Sequence, residues 1–171
     1  MYWILFVMGV LVAVVAALVT GGLATSRAYD VTRSMVVKAP RDIVWRTIRS
    51  VYEYAEWRPG LTESEMSVGD DGEEWRESTR TRSMRFGVTV DEPPSRFGAR
   101  ILDDDLGFTG DWLWTLEPSG NDTRVTLTER GEIGNPISRF IAAHMRGHTK
   151  TVDEMLTALA ARVGDPGAAI S

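Results

Sequence analysis

His144 and His148 are the chain's two imidazoles. They stand four residues apart in a stretch, 135–163, whose apolar residues recur at helical spacing, so both fall on or beside one face of a helix. Facing a cavity, they could move protons or hold a ligand by hydrogen bonds. The plainer reading has them satisfying backbone groups near a cavity mouth. A metal pair at this spacing would need a third ligand. The chain has no HExxH signature and no cysteine, so no metal centre is expected, and no cofactor. Glu129 is the third candidate. It follows Val125 and Leu127 on one row of a period-two segment; if that segment pairs Leu116 with Val125 in a hairpin, Glu129 lies opposite Trp112. A carboxylate on an inward face is desolvated, which raises its pKa and suits it to acid–base work or to anchoring a ligand's polar end. The competing reading is a strand end open to solvent, because one slip of register turns every side chain to the other face. Glu129, His144 and His148 are therefore the catalytic candidates. A ligand-binding wall is expected from Trp57, Trp75, Phe86, Trp112, Trp114, Glu129, Ile141, His144 and His148. Aromatic rows on a half-buried sheet are more often core than ligand box, and here one surface can serve as both.

Other chemistries are excluded by pattern. Nothing matches a Ser/His/Asp arrangement, a phosphate-binding glycine loop or a dinucleotide fingerprint. Gly131 and Gly134 read as residues easing the approach to the final helix. Lys and Arg number 19 against 24 Asp and Glu, a formal charge of −5, and all of them follow residue 24. No basic run appears, so nucleic acid is not an expected partner. Arg76, Arg80, Arg82 and Arg85 read as a solvated face balanced by Glu73, Glu74 and Glu77; attraction to anionic lipid headgroups is the alternative.

The elements that must position these groups follow from periodicity. Residues 2–24 are uncharged and long enough to span about 30 Å of hydrocarbon, with Tyr2 and Trp3 as interfacial anchors. They read as a transmembrane anchor. A cleaved signal is the alternative, favoured only by the small-x-small shape of Gly22-Leu23-Ala24. Arg27, Arg33 and Lys38 follow the span and no Lys or Arg precedes it, which puts the globular part in the cytoplasm by the positive-inside rule. Export after cleavage is the corresponding alternative. Residues 25–30 are a short linker, 31–164 one domain and 165–171 a frayed tail. Within the domain a first strand (31–38) precedes two short helices. Six strands with period-two apolar faces follow, and a helix of about eight turns closes the domain over 135–163. That helix has Asn135 as N-cap, Pro136 at its first position and Gly164 at its stop.

The order of these pieces resembles the SRPBCC superfamily, which holds START-like lipid carriers, the birch-pollen allergen group and the polyketide cyclase/dehydrase group. The resemblance is carried by VVKAPRDIVWRTI, YEYAEWRPG, GDWLWTLEPSGNDTRVTLTERGEI and NPISRF, and covers nearly all of 31–163. It implies an α+β helix-grip fold: a seven-stranded antiparallel sheet wrapped around the long C-terminal helix, with a cavity between them. The expected role is a membrane-tethered carrier for a hydrophobic small molecule or lipid. The alternatives are a polyketide cyclase/dehydrase-like enzyme using pocket acid–base residues, or a partner-binding module. The sequence does not indicate an oligomeric state.

Overall fold

The computed structural model describes residues 2–69, 72–146 and 149–171. His148 lies outside the described residues. Helix α1 (Tyr2–Ala24) leads into β1 (Ala28–Val37), α2 (Arg41–Arg49), a 3-10 turn and α3 (Tyr54–Trp57). Strands β2 (Leu61–Gly69), β3 (Gly72–Thr79), β4 (Ser83–Glu92), β5 (Arg96–Ile101), β6 (Phe108–Ser119) and β7 (Asp122–Ile133) follow. The chain closes with α4 (Pro136–Ile141), a π-helical turn (Ala142–Arg146) and α5 (Thr149–Arg162). The seven strands form one antiparallel sheet in the order β1-β7-β6-β5-β4-β3-β2, so the first strand reaches past the meander to pair with the last. The expected helix-grip architecture is present.

Alternation explains the sheet. On β7, Thr123, Val125, Leu127 and Glu129 are buried while Arg124 and Arg130 face water. The β6–β7 register pairs Leu116 with Val125 and Trp112 with Glu129, as the hairpin reading requires. The concave face is closed by α5, which buries Val152, Met155, Leu156, Leu159 and Ala160, and by α2 through Val44, Trp45 and Ile48. Glu77, expected on a solvated face, is instead 2% exposed: period two from Trp75 carries it to the inner face.

Three further expectations are corrected. The first strand begins at Ala28 rather than Val31, because Tyr29 already pairs with Gly131 on β7. The residues after Asp165 are tied down rather than frayed: Ser34 and Ser171 exchange backbone hydrogen bonds of 3.0 and 2.8 Å, and Ile170 bridges to Met35. The closing helix is not α-helical throughout its described residues. Asn135 caps α4 as expected, its side chain accepting from the Ser138 amide at 3.0 Å, but the α-helix gives way to a π-turn at Ala142. The halves have different partners: α5 packs on the sheet and α4 packs on α1.

Candidate functional site

Between the sheet and Ala142, Lys150, Thr151 and Glu154 lies a cavity of about 750 Å³. That is within the range of small-molecule sites. Behind two of its lining aromatics, Tyr29 and Trp112, stand two glycines. Gly110 on β6 and Gly131 on β7 are directly paired across the strands, and both are buried. A Cβ on Gly110 would sit 2.6 Å from the Trp112 ring, and one on Gly131 would sit 2.7 Å from the Tyr29 hydroxyl and 2.4 Å from the Thr109 carbonyl oxygen. The two aromatics can therefore lie flat over bare backbone where side chains would otherwise fill the space.

Glu129 stands in the cavity wall, 5% exposed, opposite Trp112. The Tyr29 hydroxyl donates to its Oε1 at 2.8 Å, while Oε2 is buried and has no hydrogen-bond partner. Burial pushes the Glu129 carboxyl above its ordinary value, and the Tyr29 hydroxyl and the neighbouring Trp112 indole pull it part of the way back. Burial and the adjacent carboxylate push the Tyr29 phenol upward, so Tyr29 stays a donor. The Trp112 indole nitrogen is also buried without a hydrogen bond of good geometry. The indole thus sits beside the carboxyl short of a well-formed hydrogen bond, and Oε2 has no well-formed partner.

The opposite wall is different in kind. Arg58, from the turn after α3, forms an ion pair with Glu77 on β3, and the Trp75 indole N–H donates to the same carboxylate oxygen at 3.0 Å. The Arg58 guanidinium lies over the Tyr54 ring, 4.8 Å from its centroid. Beyond this pair the interior closes to about 20 Å³ among stacked aromatics. Trp75 lies parallel to Phe86 at 5.3 Å and to Phe97 at 6.2 Å. Met84, Phe86, Ile101 and Phe108 give the cavity its apolar side; Lys150, Thr151 and Glu154 form the rim on the helix side.

Of the expected site residues, Phe86, Trp112 and Glu129 line this cavity. Trp75 and Trp114 do not; they belong to the filled aromatic end. Trp57 faces a separate surface depression with Pro59 and Asp153, its ring set edge-on to Tyr54 at 5.3 Å. Ile141 is half-buried in α4 and absent from the cavity wall, since α4 packs on α1. His144 is exposed: its ring stacks on Phe140 at 4.4 Å and its Nδ1 lies 3.0 Å from the Phe140 carbonyl oxygen. The wider π-turn rotates position 144 off the stripe that a uniform 3.6-residue period predicts. Glu129 and His144 therefore do not converge. Tyr29, Arg58 and Glu77 are the cavity's polar residues that sequence reasoning missed. Their signals were faint but present: Glu77 shares Trp75's face, and Gly131, inside an otherwise regular strand, marks a close approach.

A family profile described as polyketide cyclase/dehydrase and lipid transport matches residues 28–164, and the chain belongs to that family. No match was found among curated proteins. Among known structures, a START superfamily protein from Mycobacterium smegmatis superposes with a TM-score of 0.61 at 16% identity, over 78% of this chain and 96% of that one. The Zhui aromatase/cyclase from a Streptomyces species gives 0.62 at 16% identity, over 80% and 93%. Norcoclaurine synthase from Thalictrum flavum, in complex with dopamine and hydroxybenzaldehyde, gives 0.60 at 13% identity, over 82% and 88%. At such identities the likeness is one of fold.

Proposed function

We propose that this family member is a membrane-tethered binding or carrier domain. Its ligand is a hydrophobic small molecule or lipid that carries one hydrogen-bond donor, a hydroxyl or an amine, for Glu129. The observation that carries the reading is the cavity itself: about 750 Å³, apolar on the β4–β5 side, with Glu129 Oε2 buried and unpartnered in its wall. An unsatisfied buried acceptor costs about 1–3 kcal/mol, and a ligand donor would recover that cost on binding. Tyr29 and Trp112 hold the carboxyl in place, so a ligand meets a preformed contact. The tether is α1, 23 uncharged residues ending just before β1. With Arg27, Arg33 and Lys38 all following it, we place the domain on the cytoplasmic side.

Native mass spectrometry of the full chain, purified gently from its own membranes, tests this directly. A retained lipid or small molecule that is lost from Glu129→Gln supports the reading. An empty protein whose melting temperature answers to no member of a lipid and small-molecule panel overturns it.

The second reading is a cyclase/dehydrase-like enzyme, and one feature favours it: burial raises the Glu129 carboxyl above its ordinary value, the direction that suits a general acid. It would act without His144. Recovery of the bound compound chemically altered by the wild-type protein, and unaltered by Glu129→Gln, would move the assignment to this class.

A further inference from the structure

Arg139 is 3% exposed, and its described hydrogen-bond partners are all backbone carbonyls. Nε donates to Ile133 O at 3.0 Å and one terminal nitrogen to Gly134 O at 2.9 Å; the other terminal nitrogen donates to Gly22 O at 3.1 Å and Thr25 O at 3.2 Å. The last two acceptors close the C-terminal end of α1, where carbonyls lack intrahelical partners and the helix dipole favours a cation. Beside them the backbones touch. Gly22 is the one buried residue of α1, and a Cβ there would fall 1.9 Å from Pro136 O; a Cβ on Gly21 would fall 2.7 Å from the Phe140 ring. The chain between α1 and β1 is only Thr25–Arg27, and Arg27 O accepts from the Ile133 amide at 3.0 Å.

We infer that Arg139, with Gly21 and Gly22, forms a rigid joint that holds the cavity rim at the membrane surface, so that the ligand exchanges with the bilayer rather than with water. This rests on the membrane-tethered reading above. Two geometric facts carry it. At 1.5 Å per residue, about 20 residues cross the hydrocarbon, so a span starting at Tyr2 ends near Gly21, where Pro136 and Phe140 are packed. The same joint belongs to the cavity: Ile133 gives its carbonyl to Arg139 and lines the cavity together with Phe108 and with Ala142, the residue that follows α4. A flexible tether would need neither a buried arginine nor glycines cut to a neighbouring backbone. Removal of residues 1–24 would take Gly22 O from Arg139.

The chain has no cysteine, so single nitroxide labels can be placed cleanly in the full-length protein in phosphatidylcholine/phosphatidylglycerol vesicles. One label replaces Thr109 on the rim and another replaces Val68 on β2, the far edge strand. The expected oxygen-to-nickel accessibility ratio is several-fold higher at Thr109 than at Val68, and falls toward the Val68 value in Gly22→Leu and in Arg139→Ala. Gly22→Leu lies outside the sheet domain, so it keeps the test valid if Arg139→Ala does not fold. Equal ratios at the two labels, a high ratio untouched by Gly22→Leu, or an intact mass lacking residues 1–24 would each overturn the joint. Because this readout needs no ligand, it is separate from the binding test: pyrene-decanoic acid titrated into detergent-solubilised protein reports on the cavity alone.

Discussion

Two carboxylates are buried in the same interior and are treated in opposite ways. Glu77, at the closed end, is paired with Arg58, bonded by Trp75 and surrounded by stacked aromatics. Glu129, at the open end, has the Tyr29 hydroxyl on one oxygen, the Trp112 indole beside it, no well-formed hydrogen bond to the other oxygen, and glycine backbone next to it. Glu77 meets a full counter-charge and an indole donor, both on its Oε1, whereas Glu129 meets no cation among the described residues. The contrast is between a buried carboxylate with an ion-pair partner and one without.

The largest effect is expected at the closed end. Arg58→Ala leaves Glu77 buried and unpaired and should lower unfolding free energy by about 3–5 kcal/mol in a denaturant titration, with Arg58→Met/Glu77→Leu restoring much of it. A fully stable Arg58→Ala would erase the distinction drawn here. Gly110→Ala should come next: the added methyl meets the Trp112 ring and the Ile101 side chain, driving the indole into the cavity. Ligand retention should drop several-fold, while stability changes by about 1 kcal/mol. Unchanged retention would mean that Gly110 does not shape the cavity.

Glu129→Gln sharpens the comparison through pH. The folded carboxyl has a pKa above its ordinary value of 4.5, so folding favours its protonated form. Its contribution is fully present below the unfolded pKa and is lost as pH rises through the folded one. Wild-type stability should therefore decline relative to Glu129→Gln as pH is raised from about 4 toward neutrality. Parallel melting curves at every pH would contradict a desolvated Glu129. The smallest effect belongs to His144→Ala, which should leave ligand retention intact and stability within about 0.5 kcal/mol, since the ring is exposed on the outer side of the π-turn.

Period-two alternation made the strands and the Leu116–Val125 register legible, and with them the inward face of Glu129. Three things were hidden. The π-turn at Ala142 begins at no proline or glycine, and α4 has a second helix to pack on, with Phe140 meeting Gly21 of α1. Tyr29 sits in a segment that reads as linker and becomes a site residue only through β1–β7 pairing across 100 positions. Arg58 lies in a turn, where polar residues are ordinary, and only the fold turns it inward.

The hydrogen bonds that Ser171 exchanges with Ser34 have a colloidal consequence. The sheet is open, so β1 and β2 each present a row of backbone groups that a second chain could extend. On β2 the exposed Glu63 and Glu65 repel an incoming strand. On β1 the residues around Ile170 occupy the vacant edge at Ser34 and Met35. Both outer strands are therefore guarded against stacking into a continuous intermolecular sheet, one by charge and the other by the chain itself.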